Sequence, residues 1–163
     1  MKKLAIISIA SLIAFSAQAA ETKVLNRANT SVALEFTDEF TGNISACQIN
    51  LGKTHRTTPR ISILDMGSKL MIVGSAGGFD ASGFQFKIDS GEHRKFGTDY
   101  KGGDSYYGFV EETLLNEISS GSTITIRAFP ENQFAESMTK KYSLTGSSKT
   151  IYAFNQCRKK LNK

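Results

Sequence analysis

Apolar and polar residues alternate with a period of two through most of this 163-residue chain, which restricts it to a fold built on sheets. In Ser31 to Phe36, Val32, Leu34 and Phe36 share one face, and in Ile44 to Leu51 the shared face is Cys47, Ile49 and Leu51. Arg60 to Leu64 forms a further strand after Pro59, and Asp65-Met66-Gly67 turns the chain. Lys69 to Val73 is continuously apolar after its lysine, the pattern of a strand buried on both faces. Phe84 to Asp89 is the clearest alternation, with Phe84, Phe86 and Ile88 on one side and a hairpin turn at Ser90-Gly91. Tyr106 to Val110, Ser122 to Phe129 and a weaker stretch around Lys141 to Leu144 complete the strands.

Two segments break the period. Glu111 to Ser120 spaces Leu114, Leu115 and Ile118 as a helix does, with Glu111 and Glu112 at its positive end and Gly121 as a stop. Ser147 to Leu161 lines up Thr150, Ile151, Phe154, Cys157 and Leu161 at steps of three and four. Arg158, Lys159 and Lys160 suit the C-terminal dipole of that helix. The expected fold is a mostly β, antiparallel, immunoglobulin-like β-sandwich with one short helix and a C-terminal helix.

The N-terminus reads as an export signal. Met1-Lys2-Lys3 is positive, Leu4 to Phe15 is apolar or small, and Ala17 and Ala19 stand where a signal peptidase reads. The run is too short for a typical membrane span. Cleavage after Ala19 makes residues 1–19 a leader and 20–163 a single domain, long enough to bury a core. Losing Lys2 and Lys3 takes 20 basic residues to 18 against 15 acidic, a net charge of +3 instead of +5. So mild a charge on an exported chain argues against nucleic acid. The expected compartment is the periplasm or the exterior. The sequons Asn29-Thr30-Ser31 and Asn43-Ile44-Ser45 matter only in a eukaryotic pathway, and the leader is of the bacterial kind.

Cys47 and Cys157 are the only thiols, and an oxidising compartment favours their pairing. Such a bridge closes a loop worth roughly 4–5 kcal/mol in the chain-entropy picture. Two free thiols, or a bond to a partner, is the rival reading. No C-x-x-C is present, and two Cys with two distant His make no zinc pattern.

Catalytic signatures are missing. Val73-Gly74-Ser75-Ala76-Gly77-Gly78 follows a strand but leads into another strand, so it reads as a β–β turn and not as a phosphate loop. Ser75 lacks the spacing of a nucleophile elbow. His55 and His93 sit among basic residues and read as surface histidines. Glu111 and Glu112 are helix neighbours that point apart and cannot flank one bond. No catalytic, cofactor-binding or metal-binding residue is therefore assigned.

Contact residues are more promising. The basic residues form three groups, Lys53/Arg56/Arg60, His93/Arg94/Lys95 and Arg158/Lys159/Lys160/Lys163, which could meet an acidic partner if they converge. Tyr100, Tyr106 and Tyr107 flank the glycine loop Asp99 to Ser105, and they read either as a contact patch or as core strand residues. The possible contact set is Tyr100, Tyr106, Tyr107, Arg94 and Lys95.

Four stretches carry a resemblance. They are Phe86-Lys87-Ile88-Asp89-Ser90-Gly91, Leu114-Leu115 with its helix to Gly121, Thr125-Ile126-Arg127-Ala128-Phe129-Pro130, and Tyr142-Ser143-Leu144-Thr145-Gly146 before Cys157. In order and spacing the second half resembles VasI-like type VI secretion accessory proteins and, more distantly, the invasion-associated locus B family. The chain has no Trp, where these families usually carry one. The resemblance implies a secreted β-sandwich without catalysis that works through contacts in the cell envelope. The expected function is therefore a non-enzymatic periplasmic interaction or accessory module with an envelope or secreted protein partner. The alternative is an inhibitor of a periplasmic or host enzyme such as lysozyme, although a basic inhibitor is repelled by a basic enzyme. A hydrolase with a dispersed site ranks last.

Overall fold

The computed structural model describes residues 21–52, 57–96, 100–102 and 105–161; residues 1–20, with the expected export signal, and Lys53, His55, Arg56, Asp99, Gly103 and Lys163 lie outside them. Among the described residues eleven strands and two helices follow one another as β1 (Glu21–Ala28), β2 (Ser31–Thr37), β3 (Ile44–Leu51), β4 (Arg60–Asp65), β5 (Leu70–Ser75), β6 (Ala81–Ile88), β7 (Arg94–Phe96), β8 (Tyr100–Gly102), β9 (Ser105–Phe109), α1 (Thr113–Ser120), β10 (Thr123–Pro130), β11 (Met138–Ser143) and α2 (Ser147–Leu161). They make two antiparallel sheets, one of seven strands in the order β1-β2-β3-β4-β5-β9-β8 and one of four in the order β11-β10-β6-β7. The mostly β sandwich with a short helix and a C-terminal helix is thus as the alternation implies.

One half of the inner face of the large sheet meets the small sheet, and the other half meets α2. Ile61, Ile63 and Ile72 belong to the first half, where Phe84, Phe86, Ile124 and Ile126 join them in one core. Gly74 permits the close approach there, because a Cβ on it would stand 2.8 Å from the Phe84 ring. The glycine stretch after it does not close a hairpin, since β5 and β6 lie in different sheets and the chain crosses between them. Gly77 takes φ +77 in that crossover, with the Thr58 carbonyl 2.7 Å from where its Cβ would be.

In the second half α2 lies over β1, β2 and β3. Thr150 Oγ1 is 3.0 Å from Ser31 Oγ and donates to Asn26 Oδ1 at 3.1 Å. The Cys47–Cys157 disulfide fastens the helix to β3, with Cα atoms 5.9 Å apart. At the next residue, Arg158 Nε donates to Asp65 Oδ2 at 2.5 Å, and its other nitrogens reach Glu112 and Asn155. Burial of this guanidinium opposes its charge, but the hydrogen bonds it donates to Glu112 and Asp65, together with their negative charges, outweigh burial and raise its pKa. Arg158 therefore serves as a strut between α2, β4 and the start of α1, and not merely as a complement to the helix dipole.

Two local expectations change. Lys69 to Val73 is not buried on both faces: Leu70 and Ile72 are buried while Met71 and Val73 are only half-buried. The reason is that only the inner face of β5 is covered. The Asp99 to Ser105 loop contains β8, which pairs Tyr100 with Tyr107 and Lys101 with Tyr106.

Asp89 holds the start of β10 from a left-handed conformation at φ +48. Its carboxylate accepts from the Ser122 and Thr123 amides and from the Thr123 hydroxyl. The Ser122 amide bond is the main cause that lowers its pKa, against the smaller effect of desolvation. The folded value lies below the unfolded one, so the carboxylate stabilises the fold above the ordinary aspartate range. That stabilisation disappears as pH falls through the folded value. Thermal melts of wild type and Asp89→Asn should converge on acidification from neutral pH to below the ordinary aspartate range. A second expectation concerns the strut: Asp65→Ala, which leaves Arg158 without its buried partner, should cost about 3 kcal/mol in urea unfolding. Asp65→Leu with Arg158→Met, which removes both charges, should cost much less, about 1 kcal/mol.

Candidate functional site

A cleft of about 450 Å³ opens where the edge strand β7 faces the end of β9 and the start of α1. The sequence builds it from three places. β6 and β7 supply Phe86 and Phe96, whose rings meet edge-on at 5.8 Å. α1 turns the buried Leu114 toward the core, and Phe109 ends β9 on the cleft wall. Arg94, Lys95, Glu111 and Thr113 form the rim. Arg94 donates to Glu117 Oε1 at 2.7 Å, and its guanidinium carbon lies 6.0 Å from the centre of the Phe86 ring. An aromatic floor under two basic side chains is suited to an apolar group flanked by a negative charge.

Phe109 is the ridge of this region. It is 64% exposed, and Lys69 Nζ is 5.5 Å from its ring centre. On its far side a second cleft, of about 360 Å³, runs past Lys69, Glu112 and Arg158. The two clefts share Phe109, Val110 and Glu111, so Arg94 and Arg158 stand on opposite sides of one ridge. Exposed aromatic side chains beside cations are the usual anchors of protein contacts.

The five possible contact residues separate. Arg94 and Lys95 are exposed and line the larger cleft. Tyr106 is only 6% exposed, packs 5.9 Å from the Phe84 ring and donates its hydroxyl to the Ala81 carbonyl. It is a core residue and not a contact residue, because it takes an inward position of β9 between the sheets. Tyr107 takes the outward position next to it and is half-buried. Tyr100 lies in β8, and its side chain is outside what the structure describes. Of the basic groups, Arg60 is at the opposite end of β4 from the Asp65 that holds Arg158, and His93 is exposed beside Arg94.

Sequence reasoning missed Phe96, Phe109 and Leu114 as site residues. Only the uncommon placing of Phe109 at the end of a strand, next to a charged helix start, could have hinted at it. The clefts also show what this region does not hold: neither cleft is lined by a His, a Cys or a hydroxyl paired with a base. Among the described residues no three His, Cys, Asp or Glu gather where a metal could sit, and no helix is long and apolar enough to cross a membrane.

No protein family matches the sequence, and no curated protein does. Among solved structures, the chain is similar to invasion associated protein B from Bartonella henselae. That similarity has a TM-score of 0.55 at 12% identity and covers 86% of this chain and 98% of the other. At that identity the likeness is one of fold, and the protein shares the β-sandwich architecture of an invasion-associated locus B protein.

Proposed function

We propose that the protein is a non-enzymatic interaction module of the bacterial cell envelope, exported to the periplasm or beyond and bound to a protein partner through the cleft between β7, β9 and α1. The observation that carries this reading is the pairing of an aromatic floor with Arg94 and Lys95 at its rim, next to the exposed Phe109. A side chain such as Leu or Phe beside an Asp or Glu on the partner fits both features. The buried disulfide suits an oxidising compartment, where it persists. The fold likeness to invasion associated protein B agrees with a role in the envelope.

A photo-crosslinking residue at Lys95 tests the reading in the living cell. A discrete adduct is expected, and Phe109→Ser should reduce its yield roughly tenfold, the loss of one well-packed anchor. The same residue at Lys140, on the edge strand of the small sheet, should give no such band. Equal adducts from both positions, or turnover by the purified mature protein in an esterase, protease and muramidase screen, would refute the proposal.

A further inference from the structure

The apolar side of β2 faces outward. Ser31, Ala33 and Glu35 are buried under α2, whereas Val32, Leu34 and Phe36 are half-buried on the opposite surface. The pairing registers extend this surface across the sheet. Val24, Leu34, Gln48, Leu64, Met71 and Phe109 form one outward row over six adjacent strands, and Arg27, Val32, Asn50, Ser62, Val73 and Tyr107 form the next. At the usual strand spacing each row is roughly 24 Å long. No described element covers this side, since both α2 and the small sheet lie on the other.

Its polar and charged content is unusual in two ways. Asn50 Oδ1 accepts from both Gln48 Nε2 and Ser62 Oγ, so these three polar atoms at its centre are already paired with one another, which lowers the cost of covering them. The chain has 15 acidic residues, yet among the described strand residues none takes an outward position here. The charges that do are cationic: Arg27 on the edge strand and Arg60 at the start of β4. Lys69 adds a third beside Phe109.

We infer that this outward face of the seven-stranded sheet docks on an anionic lipid bilayer. Apolar and aromatic side chains with cations beside them are what such a surface attracts, and a carboxylate there would be repelled by anionic headgroups. A second copy of the chain fits less well, because among the described strand residues no outward carboxylate would meet Arg27 of the other copy. The surface meets the cleft of Arg94 and Lys95 only at Phe109, and the inference rests on the rows across β1 to β5 and not on that cleft.

Flotation of the disulfide-bonded mature chain with vesicles tests it. The protein should float with vesicles of phosphatidylethanolamine and phosphatidylglycerol, release with rising salt, and stay behind with phosphatidylcholine alone. Arg27→Glu, an exposed edge position, should weaken flotation roughly tenfold. Met71→Asp should abolish it while circular dichroism and the thermal midpoint confirm the fold, and Lys140→Glu on the small sheet should leave it unchanged. Three results would each overturn the inference: no flotation of the wild type, flotation indifferent to Arg27→Glu and Met71→Asp, or a wild-type dimer in sedimentation that Met71→Asp dissociates.

Discussion

The attachment of α2 to the large sheet is the constraint on which the other features depend. One face of this helix makes three fastenings in turn: Thr150 to Ser31 and Asn26, Cys157 to Cys47, and Arg158 to Asp65. The disulfide is the strongest of them. It joins residues 110 positions apart and removes much of the freedom of the unfolded chain. The hydroxyl contacts set how closely the helix lies, which explains why β2 presents Ser31 and Ala33 to it instead of larger residues. Glu35 sits in the same layer, beside Cys47 in the pairing of β2 with β3, and Lys160 offers it an ion pair at 3.7 Å.

That placement divides the surface. Because α2 covers β1 to β3 and the small sheet covers β4, β5 and β9, most of the inner face of the large sheet is used, and no described element covers its outer face. The Arg158 strut then fixes the start of α1 through Glu112. The start of α1 and the end of β9 form one wall of the cleft that Arg94 and Lys95 rim. The contact region is thus placed indirectly by a helix that does not line the cleft of Arg94 and Lys95.

Much of this was legible in the sequence. The bounds of α2 follow from its three- and four-residue spacing, and an even pair of Cys points to one bridge. The strands with clear alternation were visible too. Alternation separates two faces but does not say which is inward, so Val32, Leu34 and Phe36 could not be placed outside without knowing where α2 lies. β1, β7 and β8 left weak signals because β1 and β7 are largely exposed edge strands and β7 and β8 are only three residues long. In the site, charge alone marked Arg94 and Lys95. Tyr106 looked like a contact residue because a tyrosine beside a glycine loop has the same local sequence whether it packs inward or faces water. The cleft floor was hidden because Phe86, Phe96, Phe109 and Leu114 are brought together from four elements.

The central claim is that α2 is held on β1 to β3 by the Cys47–Cys157 bridge and shields their small and polar inner face. Amide hydrogen exchange of the oxidised and the gently reduced protein tests it most directly. The account predicts that α2, β2 and β3 exchange among the slowest segments when oxidised, and that reduction speeds exchange in these while β6 and β10 keep their protection. Fast exchange of α2 in the oxidised protein, or no change in α2 on reduction, would contradict it.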